Sequence, residues 1–212
     1  MYVDFAIIDT DITDRKAKEI IAEAISYKID SITVPYHLLK LCKSKKNVLI
    51  SCLIDFPMGI SDPATRVFSV EKAIEAGANC IDIVMPQNLA ANRRYDKIRE
   101  DIQNLKKVTE NIRIRYILEY RVFDHKCLKK ICQIFDENEI TFAAPSTGFF
   151  IDNLADNLIA SSFLHENSKE INVLATGNAW TERHFNILNK SGVFGFRAYN
   201  IECLRRYSKF IS

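Results

Sequence analysis

The chain has 212 residues, 48% hydrophobic and 26% charged, which is ordinary for a globular protein with room for one sizeable core. A formal net charge of +2 gives no field that would draw nucleic acid or an anionic membrane. No apolar run reaches the roughly 20 residues of a membrane span and the N-terminus shows no signal-peptide pattern, so the chain is read as cytoplasmic.

Eight short β-branched runs are expected as strands. The first is FAIID (5–9), followed by the amphipathic DRKAKEIIAEAISYK (14–28), in which Ala17, Ile20, Ile21, Ala24 and Ile25 form one apolar stripe. SITVP (31–35) precedes the basic run LKLCKSKK (39–46). Lys40, Lys43, Lys45 and Lys46 there read as a solvated helix face whose charge complements the helix dipole. NVLISCLID (47–55) comes next, and SVEKAIEAGA closes its helix on a glycine before CIDIVM (80–85). IRIRYILEY (112–120) and ITFAAPS (140–146) follow. DNLADNLIASSFL opens on Asp152, a helix N-cap candidate, before INVLATG (171–177) and VFGFRAY (193–199). Cys52, Cys80 and Cys132 fall in apolar or amphipathic runs, and no C-x-x-C spacing occurs, so the six cysteines are expected as buried free thiols. The four histidines form no zinc pattern, and no metal or cofactor is assigned.

Alternating strands and helices, with near-continuous apolar strands, predict a parallel sheet covered by helices. Eight units fit a closed (β/α)₈ barrel or a doubly wound sheet. The doubly wound form needs a glycine-rich phosphate turn after the first strand, and IDTDITD has no glycine. A TIM barrel spanning residues 1–212 as one domain is therefore predicted.

In such a barrel the chemistry sits at the C-terminal ends of the strands. Those ends read Asp9, Pro35, Asp55, Asp82, Glu119, Ser146 with Thr147, Thr176 to Asn178, and Arg197. Four carboxylates are expected to converge there. If Glu119 points inward, strand alternation also turns Ile117 and Arg115 inward. A buried arginine needs a partner, and Asp82 on the neighbouring strand is the obvious one. Such a pair could serve chemistry or be purely structural.

Five motifs, in order, resemble the deoxyribose-phosphate aldolase family. They are Ile8-Asp9-Thr10-Asp11, DFPMG (55–59), AIEAGANCIDIV (73–84), RYILE (115–119) and the STGF turn at Ser146 to Phe149. The resemblance implies a (β/α)₈ barrel cleaving deoxyribose phosphate through a lysine Schiff base. It places that lysine at Ala144 and a second, pKa-lowering lysine at Leu174. Neither residue can attack a carbonyl. It also implies a phosphate nest at Thr176, Gly177 and Asn178 and at FRAYN (196–200), where the family's glycines are largely missing. Arg197 would replace the lost nest with a cation or lie on the surface. Asp82, Glu119 and Asp9 match the family's acidic positions, Arg115 stands at a lysine position, and Asp55 adds a negative charge at the mouth.

Three readings follow. The first is an enzyme that uses Asp82, Glu119, Asp9 and Arg115 as acid/base groups, without a Schiff base, on a small sugar-like or carbonyl substrate. Asp55, Ser146, Thr147, Thr176, Gly177, Asn178 and Arg197 would bind that substrate. The second is a pseudoenzyme that binds a ligand or regulates. The third is residual deoxyribose-phosphate cleavage. A sugar-like small molecule is the expected partner, nucleic acid and membrane are not, and a homodimer is open.

Overall fold

Each apolar run supplies one strand of a closed parallel barrel in the computed structural model, which describes residues 1–42, 47–150 and 153–211. The strands are β1 (Tyr2–Ala6), β2 (Ser31–Pro35), β3 (Leu49–Ile54), β4 (Cys80–Val84), β5 (Arg113–Ile117), β6 (Phe142–Ala144), β7 (Asn172–Thr176) and β8 (Gly195–Ala198). They follow sequence order around the barrel, and β8 pairs back onto β1. The connecting helices are α1 (Asp14–Ser26), α2 (Leu39–Cys42), α3 (Pro63–Glu75), α4 (Gln87–Ala91), α5 (Tyr95–Val108), α6 (His125–Glu137), α7 (Leu154–Asn167), α8 (Glu182–Lys190) and α9 (Ile201–Ile211).

Local sequence sets the helix ends. Thr13, Asp62, Asp124, Asn153 and Thr181 each accept a backbone N–H of the first turn they cap. The helix start expected at Asp152 is capped by Asn153; Asp152 itself lies outside the described residues. Gly77, at φ 104°, follows the end of α3 as expected. Lys40 is exposed and pairs with Asp14 at 2.8 Å, while Lys43, Lys45 and Lys46 lie outside the described residues.

Strand β1 is a correction: it starts at Tyr2, where it pairs with Gly195 of β8, and ends at Ala6 rather than spanning 5–9. Asp4 interrupts its apolar pattern, so the sequence hides its first half.

The barrel has two apolar compartments. Outward-facing Phe5, Val34, Ile83, Tyr116 and Phe196 pack against helix residues such as Ile21, Val70, Ile102, Ile131 and Leu188 to form the main core. Each such burial contributes about 1.5–3 kcal/mol. A second, small cluster lies inside the barrel: Leu53, Val84, Ile117 and Ala144, with Ile8 and Phe56 packed against it. All six cysteines are buried, and burial pushes the Cys52 thiol up to about 12. Among the described residues no helix is long and apolar enough to cross a membrane.

Candidate functional site

The barrel interior below its apolar layer is a closed set of charges. Asp4 on β1, Asp82 on β4, Arg115 on β5 and Arg197 on β8 are each at most 2% exposed. Arg115 donates to Asp82 Oδ2 from Nε at 2.9 Å and from Nη2 at 2.5 Å, and reaches Asp4 Oδ1 at 3.3 Å. Arg197 donates to Asp4 Oδ2 at 2.5 Å and to Asp82 Oδ1 at 2.7 Å. Two carboxylates and two guanidinium groups leave the quartet neutral. Hydroxyl groups fill the remaining positions. Ser51 donates to Asp82 at 2.5 Å, Thr33 donates to Asp4 at 2.9 Å while accepting from Arg115, and Ser31 also donates to Asp4. Such saturation is what makes buried charge tolerable. Burial alone would raise the Asp82 carboxyl; Arg115 and then Arg197 outweigh it and hold it below the usual carboxylate range.

The expected Asp82–Arg115 contact is present, and Arg115 faces inward. Arg197 is a correction: it is not a surface residue but 1% exposed, and its Nε and Nη2 bridge Asp4 and Asp82. One step further along the same strand faces come Leu53 after Ser51, Val84 after Asp82 and Ile117 after Arg115. With Ala144 they form the apolar layer between the quartet and the mouth.

The four carboxylates do not converge. Asp82 belongs to the quartet. Asp55, at φ 54°, turns to accept from Ser61 Oγ at 2.8 Å and from Arg66 Nη1 at 2.5 Å. Arg66 also holds Asp101, with contacts of 3.0 and 3.1 Å, so the one guanidinium is shared and only partly offsets the negative charge expected at the mouth from Asp55. Glu119 lies beyond the end of β5 at φ 49°, so strand alternation does not govern it. Its Oε1 accepts from the Thr147 backbone N–H, and its buried Oε2 has no hydrogen-bond partner. Burial raises its carboxyl above the usual value, against the opposing hydrogen bond from Thr147. Asp9 is exposed on the loop after β1, and among the described residues its carboxylate makes no hydrogen bond or ion pair. No group of three or more His, Cys, Asp or Glu among the described residues is placed to share a metal ion.

The polar groups proposed to bind substrate are mostly committed to the protein itself. Thr176 Oγ1 donates to Asn157 Oδ1 at 2.5 Å, Ser146 Oγ donates to the same oxygen at 3.0 Å, and the two hydroxyls lie 2.7 Å apart. Thr147 Oγ1 accepts from Phe149 N at 3.1 Å. Gly177 N donates to the Arg197 carbonyl at 3.2 Å. Asn178 Oδ1 accepts from Tyr199 N and Asn200 N, both at 3.2 Å. Those are backbone donors of the turn after β8. A side-chain carbonyl of the chain thus occupies the N–H groups that an anion would need there.

Sequence reasoning missed Asp4, Ser31, Thr33, Ser51, Arg66, Asp101 and Asn157. A charge argument would have found Asp4: a second inward arginine, Arg197, demands a second inward carboxylate. Asn157 carried no local signal, since its role comes from α7 packing behind β6 and β7.

At the mouth the loops after β1, β2 and β3, with Phe149, enclose a cleft of about 590 Å³. Asp9, Thr10, His37, Phe56, Met58 and Phe149 are among its lining residues.

Comparison with known proteins adds the following. Residues 1–146 match the model of the DeoC/LacD family of aldolases. Deoxyribose-phosphate aldolase 1 of Staphylococcus aureus is 31% identical over 151 residues, 70% of this chain and 69% of that protein. Among solved structures, QR15, an aldolase, has a TM-score of 0.86 at 21% identity, covering 99% of this chain and 94% of its own. The deoxyribose phosphate aldolase from Aeropyrum pernix, described as a unique tetrameric structure, has a TM-score of 0.82 at 17% identity, covering 99% and 89%. The two structural likenesses are likenesses of fold.

Proposed function

The chain belongs to the DeoC/LacD family of aldolases, and from that premise we propose that it has lost lysine Schiff-base chemistry and serves as a ligand-binding barrel. One observation carries this reading. Asp82, which matches an acidic position of the family and was expected to carry protons as an acid/base group, is held by two arginines beneath an apolar layer that includes Ala144. A proton shuttle must exchange its proton with a reacting group within hydrogen-bond reach. Asp82 has Arg115, Arg197 and Ser51 as neighbours instead, and both its oxygens are taken. Ala144 is fully buried and Leu174 is 1% exposed, so the two positions the resemblance gives to lysines are packed with hydrocarbon. The Asn178 carbonyl on the β8 turn argues in the same direction for the phosphate.

A second reading, carboxylate acid/base catalysis without a Schiff base, keeps one supporting observation: the unpartnered Oε2 of Glu119, whose carboxyl burial pushes toward the protonated form. Asp82 and Arg115 no longer support that reading.

The test is borohydride trapping with deoxyribose phosphate, followed by peptide mass mapping. The expected result is no reduced adduct on any lysine and no cleavage of the sugar phosphate. The double variant Ala144→Lys with Leu174→Lys should regain at most a trace of activity. Two new ammonium groups would enter a barrel already holding two arginines, and the binding energy of the phosphate would still be missing. A deficit of several kcal/mol corresponds to several orders of magnitude in rate, at ~1.4 kcal/mol per tenfold. An adduct on a strand-end lysine, or family-like turnover in the double variant, overturns the proposal.

A further inference from the structure

The mouth cleft differs in charge from a sugar-phosphate site. Its described lining residues include two carboxylates, Asp9 and Asp55, and no lysine or arginine. Asp55 is paired from behind the wall with Arg66, a cation it shares with Asp101. The Asp9 carboxylate is exposed at the rim with no partner of its own among the described residues. His37 is the one described lining side chain that can become cationic.

The walls are hydrocarbon and aromatic. Phe56 and Phe149 meet edge to face at 6.2 Å between centroids. Phe149, Met58 and Ile60 are 51%, 48% and 59% exposed, unusual for large apolar side chains that have nothing to cover them. A volume of about 590 Å³ is in the range of pockets that enclose small metabolites. Aromatic faces next to an unpaired carboxylate attract an organic cation, and such a site disfavours a phosphate, which would meet Asp9 with no lysine or arginine in the lining to compensate.

We infer that the cleft over β1, β2 and β3 binds a compact ammonium ligand with an apolar body, its charge on Asp9 and its body against Phe56 and Phe149. The inference rests on the ligand-binding reading of the barrel and names the ligand class. Neither Ala144 nor Leu174, where the resemblance places the lysines, lines the cleft, so the two proposals fail separately. A lysine adduct would overturn the loss of Schiff-base chemistry and leave the cleft's charge preference standing.

The experiment titrates the full chain with three probes sharing one body: phenethylammonium, phenethyl alcohol and phenethyl phosphate. Binding is read by calorimetry and by NMR of the Phe149 ring. The ammonium probe should bind tightest and the phosphate weakest. Asp9→Asn should weaken the ammonium probe about three- to tenfold, the range of a partly exposed ion pair with an aromatic contribution, and leave the alcohol unchanged. Asp9 is exposed, so the variant keeps the fold and the alcohol titration reports on the intact cleft. Three results would each overturn the inference: no ammonium binding at millimolar concentration, phosphate binding at least as tight as the ammonium, or Asp9→Asn shifting both probes alike.

Discussion

Asp82 and Asp9 are both aspartates read from the sequence as strand-end acids, yet one is sealed in the barrel centre and the other stands at its rim. Asp82 has no exposed surface and is shared by two guanidinium groups and a serine hydroxyl. Asp9 is exposed and has no partner among the described residues. What separates them is the partner inventory: a carboxylate whose acceptor sites are all filled stabilises a fold, and one whose sites are empty can meet a ligand. On the proposed reading, the centre of this barrel is structure and recognition belongs to the lip.

The largest test of that contrast removes a charge from the centre. Arg197→Met would leave two buried carboxylates facing one guanidinium, and breaking a buried pair costs about 3–5 kcal/mol. Urea denaturation should show a loss of that size. Adding Asp4→Asn to Arg197→Met should recover part of it, because the remaining Asp82–Arg115 pair is neutral. A cost for Arg197→Met near zero would mean that water reaches the quartet and that the centre is not sealed.

A smaller effect is expected at the knot behind β6 and β7. Asn157→Leu deprives the Ser146 and Thr176 hydroxyls of a shared acceptor and should cost about 1–3 kcal/mol, read from the same denaturation curves. A cost well below that range would mean that the two hydroxyls satisfy each other.

Glu119 sharpens the comparison through pH. Its folded carboxyl holds a proton to higher pH than the unfolded chain, whose carboxyl titrates near ~4.3. Between those two values the folded state binds more protons, so the Glu119 contribution to stability falls as pH rises and is constant above the folded value. Glu119→Gln is neutral throughout and can still accept from Thr147 N. It should therefore gain on the parent protein as pH rises toward neutral and lose that advantage in acid. An equal offset at every pH would show that Glu119 titrates normally.

The smallest effect belongs to the rim. Asp9→Asn should move thermal stability by no more than about 0.5 kcal/mol, as for a surface residue without partners. A larger loss would give Asp9 a structural role and erase its contrast with Asp82.

Much of the fold could be read from the chain, because eight apolar runs at regular spacing with amphipathic segments between them permit few closed arrangements. The Asp82–Arg115 pair was also legible, since adjacent strands and a period of two suffice to place it. The remainder of the site was not. Asp4 sits at the start of a strand whose pairing to β8 is fixed by residues almost two hundred positions away, and Arg66, Asp101 and Asn157 act through helix packing that no local pattern encodes. Asp55 and Glu119 were expected to follow their strands; both take positive φ just past a strand end, where periodicity no longer dictates direction.

The Arg197–Asp4 pair joins the last strand to the first across 193 positions of sequence, and it is one of the four main links of the quartet. During synthesis Asp4, Asp82 and Arg115 emerge before the chain that carries Arg197, and together they hold one negative charge too many for a dry interior. The quartet is neutral only once β8 is in place, so the dry interior and the closure of β8 onto β1 depend on the same contact. A chain cut before residue 197 should remain open and hydrated at its centre, because Asp4 and Asp82 would then share Arg115 alone.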